Sequence, residues 1–314
     1  MSVVIKRLGQ LVVVLFLVTA LTALLFSLLP GDLAEVSIPF GSDAQREALR
    51  NDLGLKEPVY VQYGRWMGNF LQGDFGSFYR QGNVTSVVDR VKATAPVSLQ
   101  LMLYAQVLAL TLAIPLGILT ARRAGSAVDK STNTTAYALL ALPNFVLALV
   151  LAYIVGVELE WVPPQGYVRL TQNVGDHLRT MVLPTVSLAV GQVAIYMRLL
   201  RTDLVATLQQ DFILMAKSKG ITERRVLWRH ALRPSSLTLL TAAGLNVGTL
   251  IGGALILEII FNLDGMGRLI FESISERQVV AIQSLVAIVA VAYVLVNFLV
   301  DLLYAVLDPR IRRG

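Results

Sequence analysis

Six long apolar stretches, separated by polar segments of unequal length, set the pattern of this chain. The first runs from about Leu8 to Leu29, and five more lie at about 97–121, 132–157, 180–201, 236–259 and 280–304. Each is near or above the roughly 20 residues that an α-helix needs to cross hydrocarbon. None shows the alternation of a barrel strand, so the pattern predicts an all-α membrane protein, a bundle of six transmembrane helices. Pro115 and Pro143 fall inside two of the stretches, where neighbouring groups can take up the carbonyls a proline frees. Lys6 and Arg7 precede the first stretch, as they would in a signal peptide. Its apolar core is longer than the roughly 7–15 residues of such a signal, and Pro30-Gly31-Asp32 follows instead of a small-x-small cleavage site. An uncleaved first span is expected.

Residues 30–96 differ in kind. They are polar, yet Tyr60, Tyr63, Trp66, Phe70, Phe75, Phe78 and Tyr79 are spread through them. These aromatics predict a folded loop outside the membrane, with a small core of its own or lying on the membrane surface. No internal repeat or low-complexity tract is present.

Composition and charge then fix a class and an orientation. Of the 314 residues 55% are hydrophobic and 15% are charged, with a mean hydropathy of +0.65. Soluble domains carry about 25% charged residues. The net charge of +6 is explained by the asymmetry of membrane loops better than by nucleic-acid binding. With the N-terminus placed in the cytoplasm, 16 of the 27 basic residues but only six of the 21 acids fall on the cytoplasmic side. That distribution follows the positive-inside rule, so both termini are expected in the cytoplasm and the 30–96 loop outside. There is no cysteine, which excludes disulfides and thiolate chemistry.

The connection from about Thr202 to Pro234 is the most informative polar segment. Leu204, Leu208, Phe212 and Met215 recur at three- and four-residue spacing and predict one apolar helical face. Gly220 is placed to end that helix in the left-handed conformation, and Thr222 to cap a second one. The second helix is expected to carry Val226, Leu227 and Ala231 on one side, with Arg224, Arg225, Arg229 and Arg233 around the other, and to close at Pro234. Two readings are open: a basic interfacial hairpin, or a rigid docking knob for a cytoplasmic partner.

The run from Asp211 through Ala216, Lys217, Lys219, Gly220, Ile221, Arg224 and Arg225 to Arg233 resembles the EAA loop of ABC importer membrane subunits. More specifically it is similar to the B-type permease of dipeptide and oligopeptide importers. The resemblance covers nearly the whole chain. It includes Leu29-Pro30-Gly31-Asp32, Gly73-Asp74-Phe75-Gly76, Pro115-Leu116-Gly117, Leu142-Pro143, Gly265-Met266-Gly267-Arg268 and the end from Asn297 through Asp301 to Arg310. It implies a type I ABC importer transmembrane fold. Residues 1–92 would be a first helix with an outer loop, 93–307 the transmembrane domain with its coupling loop at 202–234, and 308–314 a tail. It also implies a cell-membrane, multi-pass subunit that pairs with a second, similar permease. Two cytoplasmic ATPase subunits would dock on the EAA loops, and an extracytoplasmic binding protein would deliver a peptide. ATP and Mg would be bound by the ATPases and no cofactor by this chain. Leu214-Met215-Ala216 departs from the family's common Arg-Thr-Ala, which puts one charge contact to the ATPase in doubt.

The chain has no G-x4-G-K-[ST] to cradle phosphates and no H-E-x-x-H, and its two histidines, His177 and His230, are far apart. It is therefore read as non-catalytic and without a metal site. Gly244, Gly248, Gly252 and Gly253 make a small-residue face for close helix packing, beside the pathway by analogy with the family. Glu258 is offered as a pathway or binding-protein contact. Asp301 is offered as an ion-pair partner of Arg198 or Arg201. An ion-coupled secondary transporter would need ionisable groups at mid-membrane, and an intramembrane enzyme a nucleophile or metal pair there; the spans carry almost none. Within the family, glutathione or nickel chelates are the alternatives to peptides.

Overall fold

The computed structural model describes residues 2–28, 34–35, 42–52, 54–80 and 83–307; the side chains at 2–8, 10–11, 52 and 301–307 lie outside that description. Pro30-Gly31-Asp32 and the tail 308–314 are likewise outside it. The chain divides into two compact units, residues 1–97 with 264–298, and residues 98–263 with 299–314.

The first unit contains α1 (Ser2–Ser27), α2 (Asp43–Asp52), α3 (Val59–Leu71) and a hairpin of β1 (Ser77–Arg80) with β2 (Asn83–Ser86). Into it also fall the start of α4 (Val87–Arg122), α12 (Met266–Ser275) and most of α13 (Val279–Leu307). The aromatics of the outer loop do form a core, but one shared with α1 and α13 and not the loop's own. Tyr63, Trp66 and Phe70 share one face of α3 by their three- and four-residue spacing. They form a ladder that runs from Phe16 on α1 to Phe75, with ring centroids 4.9–6.0 Å apart. Trp66 is buried, and its indole N–H donates to Ser284 Oγ at 2.9 Å. Phe78, Val87, Met266, Leu269, Ala281 and Leu285 make a second cluster. Strands β1 and β2 pair antiparallel, Phe78 opposite Thr85. The Tyr79 N–H of β1 donates to Gln278 Oε1, and the Gln278 amide donates back to the Tyr79 carbonyl. A side-chain amide thus pairs with the strand as a neighbouring backbone would.

The second unit is built on α7 (Val174–Leu208), the most buried of the long helices. Asn173 caps it, its Oδ1 accepting from the N–H groups of Gly175 and Asp176. Against it pack α5 (Ala127–Ala141), α6 (Asn144–Leu151) and α10 (Leu232–Leu245), and α11 (Val247–Ile260) follows α10. Gly117 sets how closely α4 approaches α7, since a Cβ there would lie 3.1 Å from the Met197 carbonyl oxygen.

Among the described residues, three helices are long and apolar enough to cross a membrane, α4, α7 and α13, and two bent pairs are apolar enough to make one span each. The expected first span falls on α1, whose described apolar stretch is Val12–Ser27. Leu99, Leu103 and Val107 on α4 are exposed at four-residue spacing, as lipid-facing positions are.

Two of the expected spans are not straight. The stretch read as one helix over 132–157 turns by 97° between α5 and α6. Pro143 has no N–H and pushes the residue before it out of the helical region, and Leu142 sits at φ −88°, ψ 122°. The 236–259 stretch bends by 45° at Asn246, between α10 and α11. There the Gln106 amide on α4 donates to the Ala243 carbonyl at 3.3 Å, and the Tyr196 hydroxyl on α7 donates to Gln106 Oε1 at 3.1 Å. A side chain covers a carbonyl at the bend, as a bent helix in hydrocarbon requires.

Replacing Trp66 by Ala is expected to lower the stability of the first unit by about 3–5 kcal/mol. Trp66→Phe, which keeps most of the ring but loses the bond to Ser284, should cost about 1 kcal/mol. Thermal unfolding in detergent measures both; equal losses for the two variants would contradict the packing role.

Candidate functional site: the loop between α7 and α10

Helix α7 ends at Leu208, and Gln209 and Gln210 turn the chain into α8 (Asp211–Ser218). Asp211 occupies the first turn of α8 and Lys217 the last, the arrangement that the helix dipole favours. Gly220 then lies at φ +75°. Its N–H donates to the Lys217 carbonyl at 2.9 Å, and the Ile221 N–H to the Ala216 carbonyl at 3.2 Å. These two bonds are the Schellman closure of a helix on a left-handed residue, as expected for Gly220. Thr222 stands at the N-cap of the next helix as expected, but its hydroxyl makes no capping bond.

That next helix does not close at Pro234. A short α9 (Glu223–Arg225) widens into a π-turn over Val226–Ala231 and continues as α10 through Pro234. Pro234 falls in α10 (Leu232–Leu245), directly after the π-turn. The loop therefore joins the following span as one helical rod. Ser235 Oγ donates to Thr207 Oγ1 at 2.9 Å and to the Ala231 carbonyl, tying the rod to the end of α7.

The buried face of the loop also differs from the one expected. The turn at Gln209–Gln210 breaks the register that joined Leu204 to Phe212 and Met215. Leu204 is buried, but on α8 Ile213 and Ala216 face inward, with Val226, Leu227 and Ala231 beyond them. Phe212, Leu214, Met215 and Trp228 are about half exposed. Lys217, Lys219, Arg224 and Arg225 are exposed as well. Thr222, Arg224, Arg225, Trp228 and Arg229 line an open hollow of about 370 Å³. The single ion pair reaching this hollow's rim among the described residues, Arg122 with Glu223 at 4.0 Å, is exposed and weak. The loop offers a partner an apolar patch ringed by cations on a stiff base.

The remaining candidates are placed as follows. Arg201 makes a two-pronged pair with Asp129, at 2.5 and 2.6 Å. Arg198 lies over the Tyr137 ring at 3.9 Å and donates to its hydroxyl. Asp301 belongs to α13, and its side chain lies outside the described residues. Asp129 is buried and also accepts from the Gly125 N–H and from Asn133. The signal for Asp129 in the sequence is the Ser126-x-x-Asp129 spacing of a capping box, and the Asp129 N–H does donate to Ser126 Oγ. The bend at Asn246 divides the small-residue stripe. A Cβ on Gly244 would lie 2.3 Å from Val300, and one on Gly253 2.9 Å from Leu188, whereas one on Gly252 would meet nothing within 4 Å. Gly248 is half-buried on α11, between these two parts. Glu258 is fully buried near the end of α11. His177 is fully buried too, within 3.2 Å of the Tyr104 hydroxyl and 2.7 Å of the Val168 carbonyl.

Comparison with known proteins adds a family. Residues 113–313 match the model described as binding-protein-dependent transport system inner membrane component, and residues 1–101 match its N-terminal counterpart. The chain is 37% identical over 312 residues to the oligopeptide transport system permease protein AppB of Bacillus subtilis, covering 98% of each chain. It is 32% identical over 310 residues to a probable peptide ABC transporter permease protein of Sinorhizobium fredii, again covering 98% of each. Among solved structures, it superposes on inward-facing conformations of the MetNI methionine ABC transporter with a TM-score of 0.56. That match has 13% identity and covers 69% of this chain and 96% of the other. At that identity the likeness establishes the fold, that of a type I ABC importer permease.

Two outcomes are expected. Asp129→Asn should destabilise the subunit by about 2–3 kcal/mol by stranding Arg201, and adding Arg201→Met should recover part of the loss. Gly244→Ala should lower stability, while Gly252→Ala leaves the isolated subunit's unfolding unchanged; equal effects would show that the stripe packs as one surface.

Proposed function

From a chain that belongs to the binding-protein-dependent transport system inner membrane components, we propose one half of the membrane pathway of an ATP-driven peptide importer. A second permease of the same kind supplies the other half. Two cytoplasmic ATPase subunits bind ATP and Mg and hydrolyse it, and an extracytoplasmic binding protein brings the peptide. The peptide assignment rests on the relatives that carry peptide permease names across nearly their full length. The loop between α7 and α10 faces the cytoplasm in this reading, in line with the eight Lys and Arg residues between 198 and 233, five of them (Lys217, Lys219, Arg224, Arg225 and Arg229) in the loop itself.

The observation that carries the coupling mechanism is the continuous rod from Glu223 through the π-turn into α10. A partner seated on Phe212, Met215 and Trp228 holds side chains with large apolar area. Exposed Lys217, Lys219, Arg224 and Arg225 surround that seat and favour an acidic rim on the partner. Closure of the ATPase pair on ATP moves the seat. Because α8 is locked to α9 through the Gly220 closure, the motion passes to α10 without being absorbed by a loose loop. The permease halves then rock and expose the pathway to the docked binding protein, and hydrolysis returns them. Gly252, where an added Cβ would meet nothing within 4 Å among the described residues, and neighbouring Gly248 are suited to close approach of the second permease. In this mechanism the chain performs no bond chemistry itself.

Gly220→Pro tests the coupling. Proline cannot adopt φ +75° and has no N–H for the Lys217 carbonyl. In proteoliposomes holding the whole complex, the variant should insert normally and its ATPases should still turn over. Stimulation by loaded binding protein, and peptide uptake, should fall by about tenfold or more. Uptake at the wild-type rate would remove the loop from the mechanism.

A further inference from the structure

Inside the first unit is a cavity of about 250 Å³ that the transport mechanism does not use. Its apolar wall comes from Ala23 and Phe26 at the end of α1, Val59 at the start of α3 and Val280 at the start of α13, with Trp66 beside them. The apolar run of α1 ends, and that of α13 begins, at the cavity's rim, which places it at the level of a membrane interface. Leu21, Leu24 and Leu25 on α1 and Leu28 just after it flank this wall, and each is more than half exposed. The apolar wall therefore continues into an exposed apolar surface of the kind that lipid covers.

The polar wall contains two groups without partners. Gln283 lines the cavity at 4% exposure, and among the described residues its amide makes no hydrogen bond. Its amide is not sealed off in the core but opens into the cavity, where a polar group of a bound molecule can reach it. Arg277 lines the cavity too and makes no ion pair among the described residues, whereas the neighbouring Glu276 is taken by Arg80 at 3.1 Å. Arg277 stands at φ +56°, just past the end of α12, in the left-handed position that glycine occupies with least strain. Its N–H donates to the Ile274 carbonyl, and that of Gln278 to the Ser273 carbonyl, so the closure is the one glycine makes at residue 220. An arginine held there against its backbone preference has a use for its side chain. Of the other charges in the wall, Arg65 pairs with Glu57, and the Asp74 carboxylate, whose Oδ1 accepts from the Gly76 N–H, has no ion pair among the described residues.

A free cation, an unfilled amide and an apolar wall that opens onto lipid match one kind of molecule. We propose that this cavity holds a single phospholipid, its phosphate on Arg277, a phosphate or ester oxygen on the Gln283 amide, and the first acyl carbons along Ala23, Phe26, Val59 and Val280. Inorganic phosphate shares the contact with Arg277 but has nothing to place on the apolar wall.

Trp66 reports on the site from within it. In the full complex, with Trp161 and Trp228 of this chain replaced by Phe, emission selective for Trp66 is obtained by subtracting the same complex carrying Trp66→Phe. Mixed micelles are titrated with phosphatidylglycerol brominated near the headgroup end of its chains. Saturable quenching of Trp66 is expected. Arg277→Gly should weaken it by about tenfold, the size of one lost charge-assisted contact, while the thermal midpoint stays level or rises because glycine relieves the left-handed backbone. Gln283→Leu should weaken it less. Quenching that never saturates, or that is the same in wild type and Arg277→Gly, would overturn the proposal. So would displacement of the brominated lipid by inorganic phosphate at concentrations comparable to the lipid's own, which would make the site one for a free anion.

Discussion

A helix in hydrocarbon must satisfy its own backbone hydrogen bonds, because no water is present to do so. The two bends within the spans are arranged around that constraint. Where Pro143 breaks the pair α5–α6, the helix restarts at once, with the Val146 N–H on the Pro143 carbonyl. Where α10 turns into α11, the Gln106 amide covers the Ala243 carbonyl, and Tyr196 holds that amide in turn. In the coupling segment, the strain of passing Pro234 is met by a wider turn in place of a break. The function needs bends and rods in particular places, and each is permitted only where the freed groups find partners.

The first unit obeys a different economy. Its β-hairpin could not hold together alone. The hairpin and α3 are fastened by an aromatic ladder, by the Trp66–Ser284 bond and by the Gln278 amide on β1. Residues far apart in sequence supply these fasteners, so the outer loop and residues 264–298 fold as one body.

Much of this was legible in the sequence because it depends on local chemistry. The long apolar runs predict α4, α7 and α13, the aromatics of the outer loop predict a core there, and Gly220 predicts the left-handed stop. What was not legible depends on tertiary partners. Pro143 and Pro234 look alike to a propensity argument, yet one sits at a 97° corner and the other inside a continuing rod. The difference lies in whether the preceding turn can widen. The inward face of α8 could not be read by extending the face of α7, because two glutamines reset the phase. Arg201 found Asp129, 72 residues before it. Only the packing of α5 against α7 brings that pair together, and the choice between acids was not encoded in spacing.

The π-turn over Val226–Ala231 has a consequence for evolution of the loop. An α-helix advances about 100° per residue, and a π-turn absorbs one extra residue without breaking the rod. The two ends of the rod are thereby set out of phase by about that angle. The end that meets the partner and the end that enters the bundle can each keep its own face, Trp228 and the arginines outward, Ala231 and Ser235 inward. One extra residue would scramble every contact in an ordinary helix; taken up in the π-turn, it lets two incompatible surfaces share one backbone.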